Sequence, residues 1–502
     1  MTRTEFYAGT VCAVLLWVGC GVAEPAAAAD TNGFGRALVR VTATVQESDA
    51  SLPWQKKAPF VRQGYGILVG ESRVLTTESL IRNQTLVELQ YARTGERIPA
   101  TVELADCQVD LALLRVKPSP AGSAGAASAP LAESVVPNAK LDLIQFDETM
   151  EIQKGSAQIV KTTMATLPAA PYQTLLYTLL TDINVNGTGA AVVQDGRLAG
   201  VMLSYDRSTR TGSMLPAGTI RHFVADAAEP PYKGFAYAGF VWQPLVDPAK
   251  RAFLNATPDG QGILVISPMP GTGAYSTLTN DDVIVKWDGR AIDNLGFYDD
   301  ADLGRMSVAY LIQGRREPGE AVPLTIIRDR KTLQVTVTLS RRDEATSLIP
   351  EDVTGDPPPP YLVDGGLIIR ELTGRYLRGR GGEWIRNVDS RIAHLYMTRQ
   401  HAPEQVGDRV LVLVGVLPDP INIDFQEMRD EVILSVNGQP VRNMKDVFRV
   451  LGPSGHVTRL ETQGSGIDVV MDAQQIEAAN ARLAKLYRLP ALRYPPADGG
   501  SK

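Results

Sequence analysis

At 502 residues the chain is too long for one compact core, and its length suggests about three domains. Its 44% apolar and 21% charged residues are typical of globular proteins, and the 45 glycines and 33 prolines favour many short strands and turns over long helices. The net charge of −6, without any basic run, excludes a nucleic-acid-binding surface.

The first thirty residues have the composition of a targeting segment. Arg3 precedes an apolar run from Phe6 to about Val22, and alanine-rich sequence follows. This pattern predicts a signal peptide at 1–30 and an exported protein, periplasmic or extracellular. Two alternatives stay open: an uncleaved membrane anchor, and a lipoprotein in which Cys20 of "WVGC" carries the lipid.

The chain has three cysteines, and two of them lie in this leader. The mature chain therefore has no intramolecular disulfide, and we expect Cys107 to be a small buried apolar residue. Because no Cys/His cluster has the spacing of metal ligands, the sequence predicts no metal site and no cofactor.

From Gly35 to about Phe223 the chain is a series of short β-like runs in two groups. The first group includes "ALVRVTATV" and "LALLRV", the second "KLDLIQF" and "QTLLYTLL", and a Gly/Ala/Ser/Pro stretch at 118–130 separates them. Two groups of short strands predict two packed antiparallel β-barrels. Between the last strands of the second group lies "VNGTGAAVV" (185–193). With serine at Thr188, and glycine and proline at Ala190 and Ala191, it would be a serine-protease nucleophile loop.

Two proline-containing segments, "AAEPPYKG" (227–234) and "GDPPPPY" (355–361), mark boundaries in the second half. After each of them the same order of elements occurs: an acid, an apolar strand, a glycine turn and an apolar residue, in "DDVIVKWDGRAI" and "DEVILSVNGQPV". This order indicates a duplicated module. Residues 474–487 have helical spacing of apolar residues and no helix breaker.

These segments, in this order, resemble the HtrA/Deg family of exported or organellar trypsin-like serine proteases with PDZ domains. The matching segments are "GYGILVGESRVLTTESLI" (64–81), "DLALLRV" (110–116) and "TDINVNGTGAAVVQDGRLAGVM" (181–202), and "SLPWQKK" (51–57) with "PPPPYLVDGGLIIREL" (357–372) is similar to the plant-type Deg subgroup. The resemblance implies a mainly β fold: a trypsin-like double β-barrel at 34–223, then two PDZ-like α+β domains, at 232–343 and, in an atypical form, 358–495.

The resemblance also identifies the positions of the catalytic triad, and two of the three side chains differ. The family's histidine position is Ser79, its aspartate is Asp110, and its nucleophile position is Thr188. None of the four histidines, His222, His394, His401 and His456, precedes Thr188. A hydroxyl nucleophile needs an adjacent base, so we expect a degenerate, non-functional triad.

Function is then expected from the PDZ-like domains. By resemblance, "YAGF" (Tyr237, Ala238, Gly239 and Phe240) is the carboxylate-binding loop, whereas the second domain lacks a recognisable counterpart. The expected protein is a pseudoprotease scaffold, chaperone- or adaptor-like, that binds unfolded polypeptides or protein C-termini as a trimer-based homo-oligomer. The alternative is an active serine-type endopeptidase that uses unusual residues in protein quality control.

Overall fold

The computed structural model describes residues 34–70, 72–91, 96–117, 128–135, 139–256, 260–355, 357–464, 466 and 468–495. The predicted leader, with Cys20, lies outside these residues, as does most of the predicted connector at 118–130. Within the described residues, no helix is both long and apolar enough to cross a membrane.

The first unit is a closed six-stranded barrel in the order β1-β2-β3-β6-β5-β4. Along β1, buried residues such as Val41 and Ala43 alternate with half-buried ones, because successive side chains of a strand point to opposite faces. A short helix, α1 (Glu78–Ile81), follows β3. The strands are β1 (Leu38–Val45), β2 (Phe60–Leu68), β3 (Arg73–Thr76), β4 (Gln84–Tyr91), β5 (Arg97–Asp106) and β6 (Leu111–Val116).

The second unit is another closed six-stranded barrel, in the order β10-β11-β12-β9-β8-β7. Its strands are β7 (Leu141–Phe146), β8 (Ile152–Thr166), β9 (Gln173–Thr181), β10 (Ala191–Gln194), β11 (Arg197–Asp206) and β12 (Thr211–Pro216). Helix α2 (Ala217–Asp226) leaves the barrel at the end of the last strand. The prediction of two antiparallel barrels in a mainly β fold is confirmed.

The next part of the chain, the first module, is built on a six-stranded sheet in the order β14-β15-β16-β20-β21, with β17 paired to β16. Its strands are β13 (Ala236–Tyr237), β14 (Phe240–Pro244), β15 (Ile263–Pro268), β16 (Val283–Trp287), β17 (Arg290–Ala291), β18 (Phe297–Asp300), β19 (Gly304–Ser307), β20 (Ala321–Arg328), β21 (Lys331–Thr338) and β22 (Ser340–Arg341). Its helices are α3 (Pro248–Leu254) and α4 (Val308–Gln313). Strand β14 is an edge strand of this sheet.

The second module contains an eight-stranded sheet in the order β29-β28-β26-β25-β24-β23-β30, with β27 paired to β26. Its strands are β23 (Tyr361–Asp364), β24 (Leu367–Glu371), β25 (Leu411–Val416), β26 (Glu431–Val436), β27 (Gln439–Pro440), β28 (Arg459–Thr462), β29 (Val469–Val470) and β30 (Arg493–Tyr494). Its helices are α5 (Gly374–Arg378), α6 (Trp384–Asn387), α7 (Ser390–Arg399), α8 (Met444–Leu451) and α9 (Ala473–Tyr487), with 3-10 turns at Glu344–Thr346 and Pro420–Phe425.

The duplicated pattern seen in the sequence forms the same hairpin twice. In the first module β16 pairs with β17, and in the second β26 pairs with β27, each antiparallel and with a tight turn. The predicted C-terminal helix is confirmed as α9, which begins after Asp472, whose side chain accepts a hydrogen bond from the Gln474 N–H.

Candidate functional site

A serine and a buried aspartate are joined where the first barrel faces the loop before β10. Ser79 lies on α1, and Asp110 occupies the turn before β6 with a φ of 56°. The Ser79 N–H donates to Asp110 Oδ1 at 2.6 Å, and the Ser79 hydroxyl donates to Asp110 Oδ2 at 3.0 Å. Both carboxylate oxygens are therefore bound by the same serine.

Burial shapes the acidity of this carboxyl group. Asp110 is 1% exposed, and desolvation raises its pKa from 3.8 to about 6. The two hydrogen bonds from Ser79 act in the opposite direction, and they do not outweigh the burial. The charge of Glu78 raises the pKa further, and that of Arg82 lowers it.

The hydroxyl of Thr188 faces the first barrel. Its Oγ1 lies 3.4 Å from Thr77 Oγ1, and the Thr188 carbonyl accepts a 2.9 Å hydrogen bond from the Tyr65 N–H. Strand β2 approaches so closely that a Cβ on Gly64 would lie 3.2 Å from Thr188 Oγ1. No hydrogen bond joins the Ser79 and Thr188 hydroxyls; each bonds to a different residue.

One amide of the Thr188 loop is occupied from within the second barrel. The N–H of Asn186, two residues before Thr188, donates to the buried Gln145 side chain at 3.2 Å. Gln145 in turn donates to the Asn184 carbonyl at 2.8 Å, which holds its amide in place. In trypsin-like proteases the amides of the nucleophile and of the residue two before it stabilise the oxyanion. If Thr188 is at the nucleophile position, as expected from the sequence, the second amide is that of Asn186, which already has an acceptor.

A second candidate site lies in the first module, at the turn between β13 and β14. Gly239 has a φ of 76°, and its carbonyl accepts hydrogen bonds from the Met269 N–H at 2.8 Å and the Thr272 hydroxyl at 3.1 Å. The N–H groups of Ala238 and Gly239 donate to no other described residue. Since no described strand pairs with the outer edge of β14, that edge offers backbone groups to a peptide strand, and the two turn amides directly precede it in the chain.

Comparison with known proteins adds three findings. A family model described as PDZ domain matches residues 349–494. "Protease Do-like 2, chloroplastic" of Arabidopsis thaliana is 24% identical over 480 residues, 94% of this chain and 76% of the relative. "Protease Do-like 4, mitochondrial" of the same plant is 21% identical over 470 residues, 90% of this chain and 84% of the relative.

Over most of its length the chain is similar to HtrA/Deg-type (Do-like) proteases, and its C-terminal part matches a PDZ domain. Among solved structures, "HtrA-type protease AlgW with decapeptide" is 17% identical with a TM-score of 0.47, covering 62% of this chain and 98% of that one. The "serine endoprotease from Yersinia pestis" is 16% identical with a TM-score of 0.43, covering 62% and 97%.

No histidine contacts the three residues at the expected triad positions. All four histidines are described, and each has partners elsewhere. His222 contacts the Gly234 carbonyl, and His394 contacts the Thr398 hydroxyl. The ring nitrogens of His401 contact Ser347 and Arg342, and His456 contacts the Asp364 carboxylate.

The second PDZ-like module contains a glycine turn that the sequence analysis missed. Gly365 and Gly366, both with positive φ, connect β23 to β24 as the turn at Gly239 connects β13 to β14. The signal was the pair of adjacent glycines between two apolar runs. Strand β24 is hydrogen-bonded to β25 on one side and to β23 on the other, so its edge is covered by its own chain.

The remaining reactive groups offer little chemistry. Cys107 is a free, half-buried thiol, and burial raises its pKa to about 12, so it stays protonated at neutral pH. Among the residues that the structure describes, no cluster of His, Cys, Asp and Glu side chains is placed to hold a metal ion.

Proposed function

We propose that this HtrA/Deg-type chain is a pseudoprotease: a non-enzymatic scaffold that binds peptides through its first PDZ-like module. The observation that carries the loss of activity is the hydrogen bonding of Asp110. Its carboxylate is bound on both oxygens by Ser79, a residue that cannot accept a proton from a nucleophile near neutral pH. The hydroxyl of Thr188 contacts Thr77, and no imidazole contacts it.

The occupied amide of Asn186 also supports this proposal. Removing one oxyanion donor alone costs about a hundred- to a thousandfold in turnover. Losing the base costs up to about a millionfold, because the members of a triad act as a unit. The two losses together leave no useful peptidase activity.

The test is cleavage of unfolded casein by purified wild-type protein, with a fluorophosphonate probe for nucleophile reactivity. We expect no cleavage and no labelling by wild type, S79H or T188S. S79H supplies a base without a serine, and T188S supplies a serine without a base. The double variant S79H/T188S is the informative control, because any activity it regains measures how far the loop of Asn186 is still competent. Wild-type cleavage that disappears in T188A would overturn the proposal.

Peptide binding is supported by the free amides of Ala238 and Gly239 beside the exposed edge of β14. An extended C-terminal segment would add a strand to this edge and direct its carboxylate at the two amides. We expect affinities on the order of micromolar for a short peptide, because its backbone must be ordered on binding. Fluorescence anisotropy with peptides that end in an apolar residue measures this directly.

The wider setting is also a proposal. The leader at 1–30 supports export, and an unfolded polypeptide or a protein C-terminus in the periplasm or outside the cell is the proposed partner. A trimer-based homo-oligomer is expected from the family resemblance. Native mass spectrometry of the purified mature chain gives the subunit number, and a monomer would remove this part of the proposal.

A further inference from the structure

A cavity of about 310 Å³ lies beside the turn at Gly239, between the first module and the second barrel. Its walls come from β14, from α4 and from residues of β8 and the turn before β9. The lining residues include Tyr172, Tyr237, Ala238, Phe240, Ile312 and Arg342. Among these described residues, Arg342 is the one with a charged side chain.

The backbone and two aromatic rings hold Arg342 in place. It follows β22, whose pairing with β13 puts it next to the strand that leads into the turn. Its guanidinium carbon lies 4.9 Å from the ring centre of Tyr172 and 5.5 Å from that of Tyr237. Tyr172 belongs to the second barrel and Tyr237 to the first module, so the cation joins two parts of the molecule.

Arg342 retains hydrogen-bonding capacity after its internal contacts are counted. Its Nε donates to Glu344 Oε1 at 2.7 Å, and its Nη2 lies 3.2 Å from His401 Nε2. Burial lowers the pKa of His401 to about 4, so this imidazole is neutral and accepts. No partner of Nη1 is found within the described chain, although a guanidinium has five N–H donors.

We propose that Arg342 binds the terminal carboxylate of the peptide in this cavity, together with the amides of Ala238 and Gly239. This inference rests on the proposed peptide binding and specifies it. The ligand is a chain end with a free α-carboxylate and an apolar last side chain. Beyond its ion pair with Glu344, Arg342 keeps N–H donors for a carboxylate, and Phe240 and Ile312 provide the apolar contact.

The site is composite, because the ring of Tyr172 that supports Arg342 comes from the second barrel. A carboxylate bound here contacts a guanidinium that is also paired with Glu344, at the start of the second module. Ligand binding therefore depends on how the barrel and both modules are arranged around one side chain.

The experiment compares two peptides of one sequence, with a free or an amidated C-terminus, by fluorescence anisotropy on the full-length protein. We expect amidation to weaken binding to wild type by about ten- to a hundredfold, the usual range for a charge-assisted hydrogen bond. R342Q should weaken the free peptide by a similar factor and leave the amidated peptide unchanged. R341Q is the matched control, because Arg341 is the neighbouring cation and stacks on Tyr232 instead.

Each outcome bears on one of the two proposals. If no peptide binds to wild type, the proposed function fails and this inference fails with it. If amidation weakens binding but R342Q binds the free peptide like wild type, the turn amides suffice and Arg342 has no part in recognition. Equal loss of both peptides in R342Q indicates a structural role only and also overturns the inference. R342K keeps the charge with fewer donors, and we expect an intermediate loss for the free peptide alone if R342Q unfolds.

Discussion

At the scale of single residues, Asp110 is a buried carboxyl group that Ser79, and no imidazole, contacts. Its pKa is raised to about 6, chiefly by burial, whereas in the unfolded chain it is near 3.8. The folded state therefore holds the proton more tightly, and stability falls as the pH rises from about 4 through about 6. A difference of about 2 in pKa corresponds to about 3 kcal/mol of lost stability.

We predict that D110N stabilises the protein at neutral pH. Asparagine can accept from the Ser79 N–H and donate to the Ser79 hydroxyl, so both hydrogen bonds persist without a buried charge. The gain should reach up to about 3 kcal/mol at about pH 7.5 and fall to about half of that at about pH 5. Urea unfolding at the two pH values measures it.

The matched control is D206N. Asp206 is exposed, and hydrogen bonds from Ser208 lower its pKa, so its substitution brings no gain at neutral pH. An equal effect of D110N at both pH values would mean that the carboxyl group keeps an ordinary pKa in the folded protein.

The expected triad positions follow from the order of motifs along the chain, whereas the bond between Gln145 and Asn186 could not be predicted from that order. The two residues are separated by 41 positions and meet only because β7 and β10 are neighbours in the closed barrel. The surroundings of Arg342 could not be predicted for the same reason. Its local sequence does not indicate that it contacts two aromatic rings from different units, those of Tyr172 and Tyr237.

At the scale of elements, the two glycine turns distinguish the modules. Among the described strands none pairs with the outer edge of β14, whereas β24 pairs with β23 over four residue pairs from Tyr361↔Arg370 to Asp364↔Leu367. A strand whose two edges are already hydrogen-bonded has no groups left for a peptide. Peptide binding through strand addition is therefore expected in the first module alone.

We predict that G239A abolishes binding of C-terminal peptides by the full-length chain. A Cβ at this position would lie 2.4 Å from Thr272 Oγ1, and the positive φ adds strain, so the turn must move. G365A is the matched control: it is also strained, near Met471, and should leave peptide affinity unchanged. Anisotropy, with thermal unfolding in parallel, separates lost binding from lost folding. Full peptide binding by G239A would place the site elsewhere.

Strands and helices could be predicted where apolar residues recur with a clear period, and not where polar residues interrupt that period. Strand β1 and helix α9 were predicted from their own residues. Strand β5 was not, because its burial is mixed and its sequence, RIPATVELAD, is largely polar at one end. The apolar pattern of β24 also does not indicate that both of its edges are hydrogen-bonded, one to β23 and the other to β25.

At the scale of the whole molecule, the loop between β1 and β2 connects the first barrel to the second module. The ring centres of Trp54 and Tyr361 are 5.7 Å apart, and the buried Arg370 donates to the Ala50 carbonyl at 2.6 Å. This loop contains "SLPWQKK", the segment that the sequence comparison with the plant-type subgroup singled out. Tyr361, which the Trp54 ring contacts, is the first residue of β23.

We predict that W54A loosens the start of β23 without unfolding either barrel. Trp54 is half-buried, so truncating it removes about 1–3 kcal/mol of apolar contact. Local opening of the segment before Tyr361 then becomes about tenfold more frequent, and proteinase K should cut residues 353–360 faster by a similar factor. F60A is the matched control, because Phe60 is an aromatic residue on β2 that is 42% exposed. Since Arg370 still holds Ala50 in W54A, cleavage should stay confined to this segment. Unchanged cleavage in W54A would mean that the remaining contacts, including those of Arg370 with Ala50 and Arg375 with Ser48, suffice to attach the second module to the barrel.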